Sequence, residues 1–191
     1  MTEKGGALPP AILSDKQSST GRALEVERAF WFAVQTRPHH EKKVSAELTQ
    51  KGLHSFLPVQ RQRRQWSDRQ KWIELPLFSN YVFVRMAEDP ELRTRVLRTM
   101  GVVRFAGAPG HGTSIPDEQI HNLQTIVNQR IPLMPHSYIN VGEKVRICGG
   151  ALHGMEGVLV AIRDGRRFVV SVDLIQRSVA IQLEGFEVER V

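Results

Sequence analysis

A chain of 191 residues exceeds the roughly 100–150 residues at which single domains cluster, so two domains are expected, and a content of 41% hydrophobic and 24% charged residues suits a folded chain with a real core. One cysteine, Cys148, excludes an internal disulfide. The lack of Cys and His at zinc spacing argues against a structural metal, so neither metal nor cofactor is expected. With no secretory pattern at the start and no apolar stretch near the roughly 20 residues of a membrane span, the cytoplasm is the expected compartment. A formal net charge of +6 and a pI near 9.9 favour a partner that is nucleic acid or a nucleoprotein machine.

Residues 1–28 mix Gly, Pro, Ser, Thr and charge without periodicity and read as a disordered leader. Order begins with Phe30-Trp31-Phe32-Ala33-Val34, a short apolar run rich in residues that suit a central strand. Pro38 opens a helix to about Lys51, stopped by Gly52. Ser55 to Gln60 reads as extended. The polar run Arg61 to Trp72 reads as an exposed hairpin with its tip near Ser67-Asp68.

Tyr81-Val82-Phe83-Val84 suits another central strand. Asp89-Pro90 supplies a cap and a first-turn proline for a second helix, with Leu92, Val96, Leu97 and Met100 as its apolar stripe and Gly101 as its end. After a short strand Val102 to Phe105, Pro116 opens a third helix whose Ile120, Leu123, Ile126 and Val127 share a face. The expected fold is α+β: an antiparallel-rich α/β sandwich over residues 29–128 with helices on one face of its sheet. Residues 129–140, with Pro132 and Pro135, read as a linker. From 141 to 191 the apolar period becomes two, with Asp164-Gly165 as a tight turn, as in a small SH3-like β-barrel.

Trp31-Phe32-Ala33-Val34, Pro76-Leu77-Phe78-Ser79-Asn80-Tyr81-Val82-Phe83-Val84 and Met100-Gly101-Val102-Val103 resemble, in order and spacing, the N-terminal (NGN) domain of the NusG family. Val141-Gly142-Glu143-Lys144-Val145-Arg146-Ile147 and Gly150-Ala151-Leu152-His153-Gly154-Met155-Glu156-Gly157-Val158 resemble its KOW domain. The Phe-Ser-Asn-Tyr form, where NusG itself usually has Phe-Pro-Gly-Tyr, is similar to specialised paralogues such as RfaH and the antiterminators of polysaccharide operons.

The resemblance implies a monomeric transcription elongation and antitermination factor, not an enzyme. It implies binding to a coiled coil on the largest subunit of RNA polymerase, with Trp31, Phe78 and Tyr81 in or near the apolar anchor. Aromatic side chains are suited to such anchors. Arg93, Thr94 and Arg95 stand near a second family contact with polymerase. Arg61, Arg63, Arg64, Trp66, Arg69 and Lys71, with Trp72, are candidates to touch phosphates and stack on bases of non-template DNA; the bland alternative is a solvated edge that resists aggregation. In the KOW half, Gly150, Gly154 and Gly157 are expected to shape a turn. Leu174, Ile175 and Arg177 stand where the family meets Rho or a small-subunit ribosomal protein. Ile175-Gln176 replaces the Phe-Gly pair common in NusG, so the partner is expected to differ or be lost.

Two other classes compete. A ribosome-associated or RNA-binding KOW protein would use the basic charge alone and has no need of the aromatic segment Phe78 to Tyr81. An enzyme would need a site among His39, His40, His111, His121, Asp117 and Glu118, but adjacent histidines cannot share a helical face, and Cys148 has no base near it in sequence.

Overall fold

The computed structural model describes residues 29–65, 70–129, 133–136, 142–162, 165–183 and 186–191. The expected leader, the hairpin tip at 66–69 and the Asp164 turn lie outside the described residues.

Strand β1 (Ala29–Thr36) is apolar on both faces, because Phe32 and Val34 alternate with Trp31 and Ala33 and all four are buried. Such a strand must lie in the middle of a sheet with cover on each side. It pairs antiparallel with β5 (Tyr81–Ala87) on one edge, and with β6 (Val102–Phe105) and β7 (Ser114–Ile115) on the other. Strand β2 (His54–Phe56) adds to the far side of β5, giving the order β2-β5-β1-β6.

Helix α1 (Glu41–Gln50) and helix α2 (Pro90–Leu97) cover one face. Val44, Leu48 and Val96 bury there with Phe32, Val34, Val82 and Val84. Helix α3 (Asp117–Asn128) covers the other, where Ile120, Leu123 and Ile126 join Trp31, Ala33, Phe83 and Ile115. The expectation of helices on one face is therefore corrected: a strand with two apolar faces needs two layers of cover.

Local chemistry sets the helix ends. Asp89 caps α2, its carboxylate accepting from the N–H groups of Glu91 and Leu92 at 2.6 and 3.0 Å, with Pro90 in the first turn. Gly52 and Gly101 take positive φ after α1 and α2. Pro38 does not open α1 as expected. It sits in the turn before it, where His39 has φ of 62° and His40 Nδ1 bonds to the Pro38 carbonyl at 3.0 Å. Helix α2 also stops at Leu97, so Leu97 and Met100 are exposed instead of continuing an apolar stripe.

Strands β3 (Val59–Gln65) and β4 (Gln70–Pro76) form a separate two-stranded ladder. Beyond α3, β8 (Met134–His136) forms within the stretch expected to be an irregular linker. It pairs with β12 (Arg177–Gln182) at the end of the second sheet, an edge position that tolerates Pro135. The other strands of that sheet are β9 (Glu143–Cys148), β10 (Glu156–Ile162), β11 (Gly165–Val172) and β13 (Glu187–Arg190), in the order β13-β9-β10-β11-β12-β8. Val145 and Ile147 of β9 are buried at the expected period of two, but Phe168, Val169 and Val170 of β11 and Ser178, Val179, Ala180 and Ile181 of β12 are buried in succession, so these two strands are covered on both faces, while Val158 and Val160 of β10 are half-buried.

Gly150 and Gly154 lie in the turn between β9 and β10 with φ of 68° and 81°, whereas Gly157 is inside β10. Its requirement is space, not turn geometry: a Cβ there would lie 2.6 Å from the Phe168 ring and 2.7 Å from the Val169 carbonyl oxygen. Gly157→Ala is expected to cost about 1–3 kcal/mol or more through overpacking, read as a lower denaturation midpoint in urea.

Candidate functional site

The aromatic segment is built as a tight turn between β4 and β5. Leu77 N–H donates to the Pro58 carbonyl at 2.9 Å, and Tyr81 N–H donates to the Phe78 carbonyl at 3.3 Å. Asn80 holds φ of 69°, a conformation that Asn tolerates better than other non-glycine residues and that explains how it stands where NusG usually has glycine. The buried carboxylate of Glu41 accepts from Asn80 N–H at 2.8 Å, and the Asn80 carbonyl accepts from Thr36 N–H at 2.8 Å. Three elements thus converge on this turn: α1, β1 and β5. Glu41 was not legible as a site residue, because a lone Glu in a first helical turn usually faces water.

Within this frame the three expected anchors part company. Trp31 is 4% exposed and packs against His54 and Phe56, with ring centroids 5.1 and 6.4 Å away. Phe78 is 2% exposed and meets Phe83 edge-on at 6.0 Å. Both belong to the core in this arrangement. Tyr81 is half-buried at the margin of the same cluster and so combines a fixed apolar body with a reachable surface.

The residues expected at the second contact also separate. The Arg93 guanidinium lies 5.2 Å from the Phe32 ring centroid and 5.8 Å from that of Phe105, with Glu88 at 3.7 Å, and its side chain is largely buried. This corrects Arg93 from a surface contact to a packed cation that spans α2 and the sheet. Thr94 and Arg95 are exposed and line a shallow groove of about 610 Å³ with Lys51, Pro90, Glu91 and Arg98.

On the hairpin, register places Arg63 opposite Trp72 and Arg61 opposite Glu74, on the same face. Arg61 Nε reaches Glu74 at 3.2 Å, Arg63 bonds Gln70, and Lys42 of α1 lies 3.8 Å from Glu74. Trp72 is 66% exposed and, with Lys42, Arg61, Ile73 and Leu75, lines a groove of about 1220 Å³ that reaches Val127 and Leu133. Lys71 is exposed; Trp66, Arg69 and the Arg64 side chain lie outside the described residues. The structure therefore brings together cations, a free indole and an apolar floor.

In the second sheet the segment after β11 makes a short turn over Asp173–Ile175 and leaves through Gln176 at φ of 49°. Ile175 is 7% exposed and Leu174 half-buried, so of the expected partner-binding residues Arg177 alone is freely exposed. Gln176 holds a left-handed conformation where the family's common pattern has glycine.

No group of three or more His, Cys, Asp or Glu able to hold a metal occurs among the described residues, and no helix there is long and apolar enough to cross a membrane. Cys148 is half-buried and donates weakly to the Arg146 carbonyl at 3.9 Å. Burial pushes its thiol above the ordinary value, and the Glu189 carboxylate adds to the shift. That is the reverse of what a nucleophilic cysteine needs.

A family model described as transcription termination factor nusG matches residues 29–124. The protein named transcription termination/antitermination protein NusG of Lactococcus lactis subsp. lactis is 25% identical over 173 residues, covering 84% of this chain and 92% of the relative. That of Streptococcus pyogenes serotype M3 is 29% identical over 148 residues, covering 71% and 82%. A solved structure described as the domain interaction in Thermotoga maritima NusG shares the fold, with a TM-score of 0.54 and 20% identity over 87% of this chain and 99% of that one.

Two outcomes are expected. Arg93→Ala should lower stability by about 1–3 kcal/mol through lost packing and cation–π contact, while Arg95→Ala stays within about 0.5 kcal/mol, both read by chemical denaturation. Because the raised thiol pKa leaves less thiolate at any given pH, Cys148 should be alkylated by iodoacetamide more slowly in the folded chain than in the denatured one. Its rate should reach half-maximum at a higher pH.

Proposed function

The chain belongs to the NusG family, whose model matches half of its length, and from that premise we propose how this transcription elongation and antitermination factor engages its partners. It works by binding, not by catalysis, in the cytoplasm and as a monomer. Two working units, residues 29–128 and 141–191, divide the labour: the first holds RNA polymerase by the coiled coil of its largest subunit and suppresses pausing or termination. The second recruits a further protein, Rho or a small-subunit ribosomal protein.

The observation that carries this reading is Tyr81. Its backbone is fixed by the turn that Glu41 and Thr36 clamp, its ring packs at the edge of the sheet's apolar cluster, and its side chain remains half-exposed. Hot spots in interfaces combine these properties, since a pre-ordered aromatic loses little entropy on binding. Trp31 and Phe78 contribute from beneath by holding the turn in shape, and Thr94 and Arg95 offer a second, polar contact. Near the polymerase the hairpin's Arg61, Arg63 and Lys71 meet phosphates of non-template DNA while Trp72 offers its face to a base. The Asn80 form of the turn supports a specialised member of the family.

Binding of the full chain to core RNA polymerase tests this. Tyr81→Ala is expected to weaken it about 10-fold or more, the range of an interface hot spot, with its denaturation midpoint near that of the wild type. Equal binding by the folded variant would move the anchor elsewhere. No binding by the wild type, together with salt-sensitive RNA binding, would establish the RNA-binding alternative.

A further inference from the structure

The turn that delivers Tyr81 is closed by the bond from Tyr81 N–H to the Phe78 carbonyl, with Ser79 and Asn80 as its two central residues. Of these two, Asn80 alone has positive φ, at 69°. Positive φ confined to the second central residue makes this a type II turn. Types I and II differ by about a half-turn of one peptide, the one between the central residues, which swings its N–H and its carbonyl to opposite sides of the turn. Whatever grips that N–H therefore chooses the type.

Glu41 grips it. The carboxylate comes from the first turn of α1, belongs to a residue only 6% exposed, and accepts from Asn80 N–H at 2.8 Å. In the flipped turn this N–H would face away, and a buried acceptor would lose its donor, which is unfavourable. Thr36 N–H holds the next peptide through the Asn80 carbonyl at 2.8 Å. The Ser79–Asn80 peptide is trans, so its carbonyl points opposite to its N–H. The Ser79 carbonyl is thus turned away from α1, sits on an exposed residue, and accepts no hydrogen bond among the described residues.

We propose that Glu41 is a positioning residue that selects this flip, and that the outward Ser79 carbonyl is an acceptor beside Tyr81 for a Lys, Arg or amide side chain of the polymerase coiled coil. An apolar anchor with a polar contact at its rim is the ordinary build of an interface. The carbonyl lies two residues from Tyr81, so a partner helix that lays an apolar residue on the ring brings a donor one turn away within reach of it. The acceptor is main-chain, so the Ser79 hydroxyl is not needed for it. The carbonyl's part rests on the reading given under Proposed function; the selection of the flip by Glu41 rests on the turn geometry alone.

The test uses the full chain, read by amide exchange in NMR and by binding to core RNA polymerase. Glu41→Ala should speed exchange at the Asn80 amide about 10-fold or more and weaken polymerase binding about 3- to 10-fold, the range of one lost hydrogen bond. Glu41→Gln keeps a carbonyl oxygen for Asn80 N–H and should stay near wild type in both. Asn80→Val keeps Glu41 but resists positive φ, and should weaken binding as Glu41→Ala does, so the result does not hang on one variant folding. Ser79→Pro with Asn80→Gly supplies the pair that favours a type II turn unaided. Added to Glu41→Ala, it should restore binding although the carboxylate is gone, which a loss of general stability would not predict. A folded Glu41→Ala chain that binds like the wild type, or a folded triple variant that stays weak, overturns the proposal. Should the wild type bind no polymerase, the polymerase reading and the carbonyl's part fall together; faster exchange at Asn80 in Glu41→Ala still upholds the selection of the flip, and unchanged exchange overturns it.

Discussion

The fold depends on a strand that has no solvent side. From Trp31 to Val34 every residue of β1 is buried, and its neighbour β5 repeats the pattern with Val82, Phe83 and Val84. Each apolar side chain of this size gains on the order of 1.5–3 kcal/mol when fully buried, so leaving either face open would forfeit several of them together. Two layers of helix follow from that. On the first face α1 and α2 lie side by side, and Arg93 closes the gap between α2 and the sheet by setting its cation near Phe32 and Phe105. On the second, α3 serves alone.

That constraint also decides which aromatics remain for function. A core built on Trp31, Phe78 and Phe83 consumes most of the ring surface that the segment offers. Tyr81 escapes because the clamped turn delivers it to the margin of the cluster, where it stays half-buried. The hairpin escapes for another reason: two strands alone cannot bury a face, so Trp72 stays out and the basic side chains stand around it.

Much of this was legible in the residues. Short apolar runs rich in aromatic and β-branched residues located the central strands of the first sheet and period-two runs located the second, the Asp89-Pro90 pair located the start of α2 to the residue, and Pro116 did nearly as well for α3. The misses have physical causes. Pro38 is as compatible with a turn as with a first helical position. Strand β8 carries proline and too few residues to show a period, so pairing alone defines it. Side-chain fate was least legible: Phe78 and Tyr81 stand three residues apart in one motif, and only the backbone path through Asn80 sends one into the core and the other to its edge. The hydrogen bond from Gln119 Nε2 to Asp173 Oδ2 at 2.9 Å left no mark at all, since residues so far apart in sequence have no local pattern.

Helix α3 is held by the same constraint. With apolar residues that share a cluster with both sheets, it is bonded less by its own sequence than by what stands on either side of it. Its cover on the first sheet is structural, because β1 cannot go without it. On its other side the same helix shares one continuous apolar cluster with Phe168, Val170 and Val172 of the second sheet, so its apolar stripe is buried from both directions.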